Sequence, residues 1–310
     1  MRQKSVRQRI DEFVDYHIRG DGEANGIILR EIAERRNMTS QERYELAYFY
    51  AVTYCIMSAL TMMDEKEQIY RDPEGYAESH LKTLIFQSDR RYTRVNGNFA
   101  KMLRQFTDDL RDEKKFREAV CSKDGVVLQK ALNEISRWFF FGRFGAYLFI
   151  ETYCRVTGLP LKGEYRFDWA EGDTATSGLL NVFGLDSTAA GFDRTGKLPE
   201  AALAKLDFML SKLIYEIGKK GGSTNLTEIE TSLCAYRKFH KGTRYNGYYL
   251  DRILEELVWF QERYGRTKNI DEVYEIRAAM FEPKYLGEKH GWKGVRKQCK
   301  TLYKQTGQVM

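Results

Sequence analysis

Carboxylates able to do chemistry gather in two stretches of the chain. In the first, Asp168, Glu171 and Asp173 fall within six positions and run straight into Thr174, Thr176, Ser177 and Gly178. Asp168 stands between Phe167 and Trp169, and an aromatic setting raises a carboxylate pKa toward the range where it can take a proton from an ammonium nucleophile. Asp173 and Thr174 also suit plain helix capping, since Asp and Thr satisfy orphan N–H groups and complement the helix dipole. In the second stretch, residues 227–234, Glu228 and Glu230 open a helix on turns that could hold an amine. The candidate catalytic residues are therefore Asp168, Glu171 and Glu230, with Trp169 as a base-stacking ring.

Cations follow the second stretch, and aromatic rings are interleaved with them. Arg237, Lys238, His240, Lys241 and Arg244 alternate with Tyr236, Phe239, Tyr245, Tyr248 and Tyr249. Such a surface grips phosphates and stacks a base, which makes Arg237, Lys238 and Arg244 phosphate or pyrophosphate candidates and Tyr245 and Tyr248 stacking candidates. For Lys238 and Lys241 a solvated face is the competing reading. An earlier cluster, residues 89–96, offers Arg90 and Arg91, whose planar guanidinium groups can engage phosphate oxygens bidentately. A surface loop is its alternative. Lys219 and Lys220, ahead of Gly221 and Gly222, have the wrong order for a Walker loop and read as a helix C-terminus with a glycine stop; they can still touch a DNA backbone.

The most informative segment is Arg137 to Glu151, read as RWFFFGRFGAYLFIE. A helix ends, a Gly142-x-x-Gly145 turn follows, and a small-residue helix begins. Glycines permit a left-handed turn and let the N–H groups of the next helix start approach a phosphate. Gly142, Arg143 and Gly145 are the DNA-binding candidates here, against the alternative of a helix stop followed by another core helix.

The elements that must position these residues are helices. Helical periodicity is present at residues 5–19, from the Thr39-Ser40-Gln41-Glu42 capping box to about Met63, and then at about 77–86, 99–112, 126–140, 146–156, 174–183, 200–218, 228–239, 247–264 and 271–281. The second helix, YELAYFYAVTYCIMSAL, is apolar nearly all round and must be buried. The Asn-Gly pairs at Asn25, Asn96 and Asn246 lack alternating β-branched flanks, so strand signals are nearly absent. The fold class predicted is all-α: a multi-helix globular protein with a central helix-hairpin-helix. Residues 1–283 are expected to form a single helical catalytic body, with the hairpin region at about 126–156 and a basic C-terminal tail at 284–310.

Composition narrows the functions. The chain has 310 residues, a formal charge of +6, 43% hydrophobic residues and 4 prolines, enough for a sizeable core and too few breaks for a disordered linker. The positive charge allows a polyanionic partner. Five cysteines, at 55, 121, 154, 234 and 299, are scattered without CxxC spacing, which argues against a disulfide framework or a zinc site and for reduced thiols. The four histidines are far apart, and no metal ligands are assigned. The opening MRQKSVRQRIDEF lacks the apolar run of a signal peptide, and the longest apolar stretch, around Trp138 to Ile150, is broken by Arg143 and two glycines. No membrane is expected, and a cytoplasmic location is.

The order of hairpin, alanine-bearing helix and then Asp168, roughly two dozen residues beyond Gly145, resembles the helix-hairpin-helix DNA glycosylases. Asp168 matches their catalytic aspartate, but no catalytic lysine stands just after the hairpin. Three segments together, FGRFGAYLFIETY, FDWAEGDTATSGLLNVFG and IETSLCAYRKFHKGTRYNGYYLDR, resemble the phage α-glutamyl/putrescinyl thymine pyrophosphorylases of the second clade, also described as amino acid:DNA transferases. The resemblance spans the second helix to about Trp259. It implies replacement of pyrophosphate on 5-pyrophosphoryloxymethyl-uracil in DNA by the amine of an amino acid or polyamine, in the host cytoplasm if the protein is phage-encoded. The partners it implies are double-stranded DNA carrying a modified pyrimidine and a free amino acid or polyamine. No cofactor is required, and Mg²⁺ could accompany the pyrophosphate. A glycosylase removing a modified base and a non-catalytic DNA-binding protein are the alternatives. Both enzymatic readings require base flipping, because neither the C5 substituent nor the glycosidic bond is reachable in a stacked base.

Overall fold

The structure, a computed structural model, describes residues 4–20, 24–162, 174–185, 199–240, 244 and 247–280. In chain order the α-helices are α1 (Val6–Arg19), α2 (Ala24–Arg35), α3 (Ser40–Thr53), α4 (Ile56–Asp64), α5 (Lys66–Arg71), α6 (Pro73–His80), α7 (Asn98–Gln105), α8 (Glu113–Val120), α9 (Leu128–Ile135), α10 (Arg143–Thr157), α11 (Thr174–Val182), α12 (Glu200–Lys219), α13 (Leu226–His240), α14 (Tyr248–Tyr264) and α15 (Lys268–Met280). A 3₁₀ segment covers Ser88–Arg94 and a π turn covers Phe106–Leu110. The fold is all-α, as the periodicity predicts. Among the described residues one small sheet joins β1 (Cys121–Ser122), β2 (Gly125–Val127) and β3 (Leu161–Lys162), with β2 central, antiparallel to β1 and parallel to β3. These strands are two or three residues long, too short to show alternation. No helix among the described residues is long and apolar enough to cross a membrane.

The chain divides into two compact units, each built from segments distant in sequence. One comprises residues 1–24, 165–252 and 281–310; the other comprises 25–164 and 253–280. In the first, α1, α11, α12 and α13 enclose a core that includes Phe13, Tyr16, Leu179, Leu213, Leu233 and Tyr236, all essentially inaccessible. Helices α11 and α13 meet at Gly178, where a Cβ would stand 2.1 Å from the Leu233 carbonyl oxygen, far inside van der Waals contact.

In the second unit α10 packs along α3. Around them Tyr44, Tyr48 and Phe49 of α3, Phe116 of α8, Trp138 and Phe141 of the α9–α10 turn, and Phe149 and Tyr153 of α10 make a continuous set of edge, tilted and stacked contacts. Two of the cluster's buried hydroxyls are hydrogen-bonded, as burial demands. Tyr48 donates to the Met102 carbonyl at 2.9 Å and Tyr153 to the Glu113 carboxylate at 2.7 Å.

Helix α3 starts at the capping box predicted: the Thr39 hydroxyl accepts from the Glu42 N–H at 3.2 Å, and the Glu42 carboxylate accepts from the Thr39 N–H at 2.9 Å. It does not continue to Met63. Tyr54 adopts a left-handed conformation (φ 55°), and the Thr53 hydroxyl donates to the carbonyls of Phe49 and Cys55 across the break. A segment apolar on every side gives no sequence signal of such an interruption. Helices α2 and α8 also lie where no periodicity is expected, and α9 ends at Ile135 rather than near Phe140.

Candidate nucleic-acid interface

Residues 136–142 join α9 to α10, and the turn differs from the glycine-led one expected. Phe140, not a glycine, takes the left-handed conformation (φ 63°). Gly142 is the extended N-cap of α10 (φ −66°, ψ 179°) with open space where a side chain would be. Having no side chain, it leaves the first N–H groups of α10 uncapped; the first helical bond recorded is Ala146 N–H to Gly142 C=O at 3.0 Å. Gly145 is buried in the first turn, and a Cβ there would lie 3.1 Å from Nη1 of Arg90.

Arg90 itself is nearly buried, at 5% exposure. Its Nε donates to the Val52 carbonyl at 3.3 Å and its Nη1 to the Phe140 carbonyl at 3.5 Å, while the Met102 sulfur lies 4.0 Å from Nη2. The guanidinium also lies over the rings of Phe140 and Phe141, at 5.8 and 5.4 Å. No carboxylate pairs with it among the described residues. Burial pushes its pKa down to about 10, so the group still carries its charge at neutral pH.

Around the α9–α10 turn the surface is aromatic and cationic. Phe139, Phe140, Phe144 and Tyr92 are exposed. Lys101 lies 5.7 Å over Phe139, and the Arg91 guanidinium 4.5 Å over Tyr92. The Gln105 side chain accepts from the Phe139 N–H at 2.6 Å and holds the loop. Of these, the sequence points to Arg90 and Arg91, in the basic-aromatic cluster that includes Tyr92, but not to Phe139, Phe140, Phe144 or Lys101. The available signal was the Phe-Phe-Phe run itself: three consecutive rings next to a glycine turn cannot all face one core.

The remaining candidates, Arg143 apart, lie in the other unit. Glu230, on α13, accepts from the Cys234 thiol one turn on, at 3.2 Å. Arg237 donates to the Thr174 hydroxyl at 3.3 Å, at the first residue of α11, and Lys238 beside it is half-buried. The Arg244 guanidinium stacks 3.8 Å over the buried Tyr248 ring, which meets Tyr249 edge-on. Lys219 is exposed at the end of α12, and Gly221 (φ 76°) makes the glycine stop expected there. Lys220 is already engaged, 2.8 Å from Asp15 and 3.8 Å from Asp11. Asp168, Trp169, Glu171 and Tyr245 lie outside the described residues, and nothing is described of the Arg143 side chain. Among the described residues no group of three or more His, Cys, Asp or Glu side chains is arranged to hold a metal ion. The thiols of Cys55 and Cys154 are buried, and burial pushes that of Cys154 up to about 12.

A helical protein that offers rings and cations beside an uncapped helix start has the make-up of one that handles nucleic acid. Residues 40–245 match the amino acid:DNA transferase family, and the chain belongs to that family. The match covers α3, the turn between α9 and α10, Asp168 and α13. A role as a transferase in DNA modification follows, with DNA and an amino acid as partners. No curated protein matches the chain.

Proposed function

We propose that the protein replaces the pyrophosphate of 5-pyrophosphoryloxymethyl-uracil in DNA, a phage-type hypermodification intermediate, with the amine of an amino acid or polyamine. The observation that carries this reading is the family match over residues 40–245, which contains every segment of the resemblance up to Tyr245. The bond broken joins the exocyclic methylene carbon to oxygen; the bond formed joins the same carbon to nitrogen. The amine enters without its third proton, and pyrophosphate leaves with the electron pair. Nothing is oxidised or reduced, so no redox cofactor is called for.

Asp168 is assigned the proton of the incoming ammonium, with Glu171 and Glu230 holding the amine. The base is turned out of the stack, with Trp169, Tyr245 and Tyr248 as the rings proposed to receive it. The uncapped start of α10, at a Gly142–Gly145 helix-hairpin-helix, is suited to backbone phosphate, since helix N-termini attract anions. Arg91, Arg237, Lys238, Arg244, Lys219 and Lys220 supply further positive charge.

The test is a transfer assay on duplex DNA carrying the pyrophosphorylated base, with amino acids and polyamines offered in turn. Pyrophosphate should be released, and the DNA should gain the mass of the amine with its glycosidic bonds intact. Asp168→Asn should still bind DNA and turn over about a hundredfold more slowly. Release of free base and abasic sites would instead identify a glycosylase.

A further inference from the structure

We propose that Arg90 and the first turn of α10 together form a seat for a phosphoryl group, and that Gly145 is a specificity-determining residue because it lets the guanidinium reach that turn. The inference deepens the transferase reading and rests on it only for the choice of pyrophosphate as the probe.

The argument begins with charge. The N-terminal end of a helix carries a partial positive charge through its unsatisfied N–H groups, and a cation placed there is repelled. α10 has fifteen residues to build that dipole and no capping side chain to offset it. Against its first turn stands Arg90, at 5% exposure and without a carboxylate partner among the described residues. A buried cation is ordinarily paired, because removing it from water unpaired is costly. Here the cation and the helix start instead confront each other, two positive centres converging on one turn. An oxyanion is the ligand that would satisfy both.

A structural role accounts for much of the side chain, since Nη2 faces the Met102 sulfur and the guanidinium lies over Phe140 and Phe141, but not for Nη1. Nε serves the Val52 carbonyl at the C-terminal end of α3, where a cation is welcome. Nη1 points the other way, toward Phe140 and Gly145, and among the described residues its one acceptor is the Phe140 carbonyl at 3.5 Å, the outer limit of a hydrogen bond. A side chain at position 145 would press on that nitrogen, since its Cβ would stand 3.1 Å away. Gly142, with open space where its side chain would be, leaves the approach to the turn clear. The exposed Phe140 and Phe144 flank the site and would partly screen it from water. The chemistry required is that of a phosphoryl oxygen, from either the leaving pyrophosphate or a DNA backbone phosphate.

The full chain is titrated calorimetrically with pyrophosphate, with and without Mg²⁺, and separately with an unmodified DNA duplex. Wild type, Arg90→Met, Arg90→Lys and Gly145→Ala are compared, with circular dichroism and Tm reporting folding. Arg90→Met should fold, because Met keeps the buried stem of the side chain, and should bind the phosphoryl ligand at least about tenfold more weakly. Gly145→Ala should weaken binding in the same direction. A loss confined to pyrophosphate assigns the seat to the leaving group; a loss confined to the duplex assigns it to the DNA backbone. Affinities within twofold of wild type for both ligands, in every folded variant, would overturn the proposal. If Arg90→Met does not fold, Arg90→Lys and Gly145→Ala are read by the same criterion. A wild type that binds pyrophosphate but transfers no amine would sink the transferase reading and leave the seat standing.

Discussion

Gly178 shows how much a single missing side chain can decide. The two helices that carry Thr174 and Arg237 approach until the Gly178 Cα faces the Leu233 carbonyl, so Ala at 178 has no room and the backbones must separate. Gly178→Ala should cost about 1–3 kcal/mol, in the range of overpacked cores, read as a lower denaturant midpoint with unchanged slope. It should also loosen the 3.3 Å contact between Arg237 and Thr174, so transfer activity should fall with stability; an unaltered midpoint would mean that the crossing is not tight. At this scale the sequence conveys residue type better than environment. Gly142 and Gly145 stand out by spacing, yet the left-handed turn falls on Phe140, and the value of Gly145 lies in what it avoids touching. Arg90 is legible as a cation, but its burial is not, because burial depends on Val52, Met102 and Phe141, which come from other elements.

Individual elements were legible where local chemistry fixes them. The start of α3 follows from Thr39 and Glu42 alone, because a capping box is a contract between residues three apart. The Glu42 carboxyl is held below its usual value, first by the Thr39 N–H and then by the Thr39 hydroxyl and Lys66. A carboxylate whose folded pKa is lowered contributes stability that is present above the ordinary value near 4.5 and lost as pH falls through the lowered one. Thr39→Ala should therefore cost roughly 1 kcal/mol at neutral pH, and the difference from wild type should shrink below the lowered value, as measured by urea denaturation at the two pH values. A difference that does not change with pH would show the hydroxyl acting alone. The break at Tyr54 and the short strands β1 to β3 were not legible. A helix buried on all sides offers no polar face to mark an end, and β3 is fixed by pairing with β2, 35 residues earlier in the chain.

At the scale of the molecule, hydrophobic periodicity reports which faces are buried but not against what, so the division into two units escapes it. The chain passes between them at 24/25, 164/165, 252/253 and 280/281, and none of these points is marked by a disordered linker in the sequence. The positive charge is a property the sequence does carry to this scale. A +6 protein with exposed cations beside exposed rings should bind DNA with strong salt dependence, because each phosphate neutralised releases condensed counterions. The logarithm of affinity should fall linearly with the logarithm of salt concentration, with a slope of about −0.9 per phosphate contacted. Arg91→Gln and Lys101→Gln, at the hairpin surface, and Arg237→Gln, in the other unit, should each make the slope shallower by about one contact. Phe144→Ala should behave differently, weakening binding without altering the slope, since a stacked ring neutralises nothing. Fluorescence anisotropy with a labelled duplex, from roughly 50 to 200 mM salt, measures both quantities at once. Unchanged slopes in all three charge variants would place the DNA elsewhere on the molecule, whereas a change only in Arg91 and Lys101 would confine the phosphate grip to the α10 hairpin.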